Sequence, residues 1–106
     1  MIFNGSNSAS TVSDGSTIKG VVVCYNVITA KPGSTYISQT RLTEMTTPNV
    51  TTVRHDDGTN LTSIAPVCFT SKGSDFTVRG TITLELKMVF GSTSDKILLG
   101  GLSLLI

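Results

Sequence analysis

Residues 75–90 read Asp75-Phe76-Thr77-Val78-Arg79-Gly80-Thr81-Ile82-Thr83-Leu84-Glu85-Leu86-Lys87-Met88-Val89-Phe90. Phe76, Val78, Gly80, Ile82, Leu84, Leu86, Met88 and Phe90 hold the even positions. Thr77, Arg79, Thr81, Thr83, Glu85 and Lys87 hold the odd ones, joined by Val89. Successive side chains of a strand point to opposite faces, so a period of two means a sheet with one dry face. A helix would scatter the same apolar residues around its circumference. At roughly 3.3 Å per residue such a strand would run about 50 Å, well beyond the usual length. Gly80 is the position where a bulge or bend is expected. A long one-sided strand in so short a chain implies a surface built from a sheet.

The flanking segments extend that sheet. Residues 18–28 form a second strand whose Val21–Tyr25 centre is apolar on both sides, which predicts a covered, central position. Pro32-Gly33-Ser34 ends it. Residues 36–42 read as a polar edge strand, broken at Thr46-Thr47-Pro48-Asn49 and followed by a strand at 50–55. Asp56-Asp57-Gly58 reads as a turn. Residues 61–70 form a further strand, interrupted at Pro66, which has no N–H for a ladder. Lys72-Gly73-Ser74-Asp75 then turns into the long strand. Residues 4–17 are small and polar, a loose arm or a hairpin turning at Asp14-Gly15.

At the other end, Ser92-Thr93-Ser94-Asp95 has the form of a helix start, with Ser92 as N-cap and Asp95 near the positive end of the dipole. Leu98, Leu102 and Leu105 would then make an apolar stripe. Gly100-Gly101 opposes a helix and would suit a hairpin. The helix is favoured, because it would cover the dry face of 76–90. The expected architecture is therefore mainly β: one domain over 1–106, with an arm or N-terminal hairpin over 1–16. An antiparallel sheet of roughly five to seven strands fills 18–90. A short C-terminal helix at 92–106 follows. The alternative is an all-β sandwich with a C-terminal hairpin.

Composition narrows the function. The 106 residues include 17 Thr and 13 Ser, as expected for strands joined by turns. Only 14% are charged and the net charge is +1, which opposes nucleic-acid binding by bulk charge but leaves room for a local basic patch. The N-terminal residues carry no basic, apolar leader pattern, and no apolar run is long enough for a membrane span. A chain made in a cytosol is the expectation, with Cys24 and Cys68 as buried free thiols; a disulfide is the alternative. Two distant Cys and the single His55 give no metal-ligand spacing, so neither metal nor cofactor is expected. His55 beside Asp56 and Asp57 reads as a solvated turn histidine, Glu44 and Glu85 are too sparse for a carboxylate pair, and no phosphate-binding Gly motif is present. An enzyme is not expected.

The polar side of the long strand is the candidate site. Arg79 and Lys87 can neutralise phosphates, and the hydroxyls of Thr81 and Thr83 can bond phosphate, sugar or base edges. The plainer reading is a solvated sheet face. Residues 81–105, Thr-Ile-Thr-Leu-Glu-Leu-Lys-Met-Val-Phe-Gly-Ser-Thr-Ser-Asp-Lys-Ile-Leu-Leu-Gly-Gly-Leu-Ser-Leu-Leu, resemble the end of the coat proteins of single-stranded RNA bacteriophages. That resemblance implies an antiparallel sheet with an N-terminal hairpin at Asn4–Asp14 and a C-terminal helix. It also implies subunits pairing edge to edge, and Arg54 and Arg79 turned toward RNA. The functional expectation is a virion coat protein made in host cytoplasm. Its partners would be itself and single-stranded RNA, with no membrane. The alternatives are a phage decoration or fibre component and a β-sandwich module binding glycan or protein.

Overall fold

The computed structural model describes residues 2–10, 15–47 and 49–106, the first of these as backbone alone. The alternation of 76–90 holds, but the single strand does not. The chain is extended from Val67 to Thr77, breaks at 78–80, and resumes from Thr81 to Val89. Gly80 lies at the break, where a Cβ would collide with the Met45 carbonyl oxygen and the backbone beyond it. The two halves belong to different sheets. Val78 stays fully buried at the corner, tied by its amide to Ser16 O at 2.8 Å.

Seven strands are seen among the described residues: β1 (Ile2–Ser10), β2 (Thr17–Ile28), β3 (Tyr36–Thr47), β4 (Val50–Asp57), β5 (Val67–Thr77), β6 (Thr81–Val89) and β7 (Lys96–Leu105). They form a four-stranded sheet, β1-β6-β3-β4, and a three-stranded sheet, β5-β2-β7. Every pairing is antiparallel. Only β3 and β4 are consecutive neighbours; every other connection crosses between the sheets.

The two dry faces share one core. Val21, Val23, Tyr25 and Val27 of β2 meet Ile37 and Leu42 of β3 and Ile82, Leu84, Leu86 and Met88 of β6. The even positions of β6 are thus the buried ones, as the alternation requires. Residues 58–66 bond to a strand of each sheet, through Leu61 to β3 and through Ser63 to β2. Leu61 bridges Ile37 through paired backbone bonds of 2.8 and 3.1 Å, and the Tyr25 hydroxyl accepts the Ser63 amide at 3.1 Å.

Several expectations are corrected. The single sheet is two. Residues 92–106 form neither helix nor hairpin: β7 is one strand laid along β2. The Ser92 and Asp95 signals build a tight turn instead, in which Asp95 N bonds Ser92 O at 3.2 Å. The Asp95 carboxylate is taken by Thr29 Oγ1 at 2.9 Å and Thr35 Oγ1 at 2.5 Å. Among the described residues there is no N-terminal hairpin, since β1 pairs with β6 and β2 lies in the other sheet. Gly15 does form a turn at φ +87°; Asp14 lies outside the described residues, as does Pro48. β3 is an interior strand, not an edge. Asp56 and Asp57 complete β4, and Lys72 to Asp75 continue β5, so neither segment is a turn. Gly73 serves close approach, because a Cβ there would strike the His55 ring.

Cys24 and Cys68 are not thiols. They sit opposite each other in the β2–β5 ladder and form a disulfide, on the side of the sheet away from the core. Each lies in an apolar run, but the run does not bury the cysteine itself. The β2 residues flanking Cys24 are Val23 and Tyr25, and those are the ones that face inward.

Candidate functional site

Four of the five residues expected to face RNA lie along one line. Thr81, Thr83 and Lys87 occupy the odd positions of β6, on the outer face of the four-stranded sheet, and Arg79 is exposed at the corner leading into it. The register brings other charges onto this face. Arg41 pairs with Glu85 and Asp56, and Gln39 with Lys87. Arg41 Nη2 lies 3.3 Å from Asp56 Oδ2, Gln39 Nε2 donates to Asp56 Oδ1 at 2.6 Å, and Thr43 donates to Glu85 at 3.2 Å. Arg41, Lys87 and the corner Arg79 therefore share this face with Glu85 and Asp56, a surface of mixed charge.

Arg54 is not with them. It is the extra residue of a bulge in β4, between His55 opposite Leu42 and Val53 opposite Thr43. Its Nε donates to Glu44 Oε1 at 2.8 Å, and its guanidinium carbon lies 5.9 Å from the Phe76 ring centroid. Glu44 is the residue that sequence reasoning passed over. It follows Leu42 by two, so it takes the inward side of β3, and its side chain is 0% exposed. An acid at an inward position was the available signal. Its other oxygen accepts the amides of Arg79 at 2.6 Å and Gly80 at 2.9 Å, capping the backbone where the chain changes sheets. Burial pushes its pKa up; the bonds from Arg79, Arg54 and Gly80, with the Arg54 charge, outweigh burial and hold the carboxyl below its ordinary range.

A second polar cluster joins the sheets. His55 and Asp57 of β4 converge on Ser71 of β5, and His55 and Ser71 are buried. Ser71 Oγ lies 2.6 Å from His55 Nε2 and donates to Asp57 Oδ2 at 2.5 Å. Three residue types of a hydrolytic triad are present, but in the wrong order. The single hydroxyl proton goes to the carboxylate, so His55 Nε2 donates to Ser71 and cannot act as its base. Hydrogen bonds from Ser71 and Thr59 outweigh burial and hold Asp57 below the ordinary carboxylate range. The cluster is a clamp between β4 and β5, and His55 is a buried strand residue, not a solvated turn residue.

The third surface is apolar. At one end of the three-stranded sheet the disulfide, Val67, Pro66, Tyr25, Leu98 and Leu99 line a shallow open groove. Leu98 is 48% exposed, Leu99 37% and Ile106 68%. Among the described residues no group of His, Cys, Asp and Glu is placed to hold a metal, and no helix is long and apolar enough to cross a membrane. No family model, curated protein or solved structure matches this chain.

Proposed function

We propose that this chain is a self-assembling structural protein, a coat subunit of a virus or phage that works through its surfaces. One observation carries the reading. Six of the ten residues of β7 are Ile or Leu, yet none of the ten is buried. Ile97, Leu102 and Leu104 pack against the core only in part, and a lone domain that leaves the rest of an apolar edge strand in water risks aggregation through it. A subunit whose edge is covered by its neighbours gains that burial, at about 25 cal/mol per Å2, and closed symmetry keeps the contact from running on. The buried polar groups support the same reading: Ser71 is spent on Asp57 and His55, and Glu44 on Arg54 and the amides of Arg79 and Gly80. RNA as cargo rests on less: Arg79 and Lys87, with Thr81 and Thr83, on a face that also carries Glu85 and Asp56.

The disulfide favours a second reading. Disulfides persist in oxidising surroundings, which suits an exposed accessory component, a decoration or fibre, or a secreted binding module. Sizing of purified protein by light scattering separates these. A megadalton particle supports the coat, a small closed oligomer the accessory component, and an 11 kDa species the binding module. Where particles form, their absorbance ratio before and after Arg79→Ala/Lys87→Ala tests the cargo. Particles that form normally with unchanged RNA would remove RNA contact at this face.

A further inference from the structure

Four strands end a sheet, and three of them are blunted. β4 carries Arg54, Asp56 and Asp57, β5 carries Lys72 and Asp75, and β1 reads Asn-Gly-Ser-Asn-Ser through its middle. Charge and polarity of this kind discourage further pairing. β7 has no such guard, for no charge follows Lys96.

The sequence of β7 is also close to its own reverse. From Ile97 it reads Ile-Leu-Leu-Gly, then Gly-Leu-Ser-Leu to Leu104. Antiparallel pairing about a centre between Gly100 and Gly101 sets Leu99 against Leu102, Leu98 against Ser103 and Ile97 against Leu104. Such a pairing works only if opposed residues share a face of the sheet, and in a regular strand these would not, because the paired numbers differ in parity. The structure removes that obstacle. Leu102 pairs with Val23 and Gly101 with Cys24, but Leu99 pairs with Tyr25, so Gly100 is an extra residue that shifts the alternation by one. Ile97 and Leu99 therefore share the core side with Leu102 and Leu104, opposite Val27, Tyr25, Val23 and Val21. Leu98 and Ser103 share the outer side, opposite Asn26 and Val22. Side-chain face and hydrogen-bonding direction are tied along a strand, so a face-matched register also brings free N–H and C=O groups together. At the centre, where the strands cross the axis, both residues are glycine and no side chain stands in the way.

We propose that β7 pairs antiparallel with β7 of a second copy across a two-fold axis between Gly100 and Gly101. Two three-stranded sheets become one of six, ordered β5-β2-β7-β7-β2-β5. The contact is isologous: each copy offers the same edge. It deepens the self-assembly reading by naming its first interface.

Cysteine pairs in the otherwise native chain test the register. The in-register variants are Leu98→Cys/Ser103→Cys and Leu99→Cys/Leu102→Cys; neighbouring pairs alternate in hydrogen-bonding type, so one of the two has the closer approach. The control, Leu98→Cys/Leu105→Cys, is displaced by two residues. Within one strand the paired positions are roughly 10–25 Å apart, too far for a bond inside a chain. Mild oxidation should give at least tenfold more covalent dimer from one in-register pair than from the control. Equal yields, or none from either in-register pair, would overturn the proposal. Megadalton particles without in-register cross-links would leave the coat reading standing and this interface wrong. In-register cross-links in the variants of a protein whose parent stops at a dimer would do the reverse.

Discussion

β6 and β7 follow each other in the chain, are of similar length and are both rich in Leu and Ile, yet they end in opposite circumstances. β6 lies between β1 and β3, with Ile82, Leu84, Leu86 and Met88 buried and its polar residues turned out. β7 ends its sheet and buries no residue. The apolar side chains of β6 are explained by the core of this one chain. Those of β7 exceed what that core uses: Ile97, Leu102 and Leu104 pack against it only in part, and Leu98 turns away. Apolar sequence that a fold leaves uncovered is the feature from which self-association is argued.

That contrast can be broken from the β6 side first. Leu84→Asp places an unpaired carboxylate among Leu42, Leu86 and the β2 valines. It should cost at least about 4 kcal/mol and leave the chain unfolded by circular dichroism. A folded Leu84→Asp protein would mean that the dry face is misassigned. Next in size is the Cys24→Ser/Cys68→Ser pair. The bridge closes a separation of 44 residues, so its loss should lower stability by about 2–4 kcal/mol, read as the shift in urea midpoint. An unchanged midpoint would say that the cysteines are not bridged in the native protein.

Glu44→Gln comes third, at about 1–3 kcal/mol, because it discharges the group that holds Arg54 and the corner amides. The pH dependence sharpens it. Glu44 has a folded pKa below its unfolded one, so its contribution is full above the ordinary carboxylate range and is lost as pH falls through the depressed folded value. Asp57 acts in the same direction. Stability should therefore decline on acidification below the ordinary carboxylate range, and Glu44→Gln should flatten that decline. A parallel acid profile for parent and variant would contradict the assignment. The smallest effect is expected at Leu98→Lys, within about 0.5 kcal/mol in dilute protein, since the side chain is nearly half exposed. A large loss would show that the outer face of β7 is already covered in the single chain.

The same two strands show what a sequence discloses. The period of two in β6 is a direct record of burial on one side, and it assigned the face correctly. The break at Gly80 was legible as a bend, but the change of sheet was not, because it depends on the Met45 carbonyl, which is distant in sequence. β5 misled through composition: Lys72-Gly73-Ser74-Asp75 has turn residues, and Gly73 is there to admit the His55 ring. β7 misled through its start, where Ser92 and Asp95 carry cap chemistry that a turn uses equally well. The disulfide depended on a cross-strand register that neither cysteine's neighbours reveal. Of the candidate site, the line of Thr81, Thr83 and Lys87 was legible from alternation alone. Glu44's hold on Arg54 was not, since a bulge in β4 creates it.

Hydrogen exchange of the β6 and β7 amides, followed over protein concentration, tests the central claim most directly. β6 is bonded on both sides and should exchange slowly throughout. Alternate amides of β7, those pointing away from β2, should exchange freely in dilute protein and become protected as concentration rises, while β4, also an edge, stays unchanged. Protection of β7 that does not change with concentration while the protein remains 11 kDa would contradict the account.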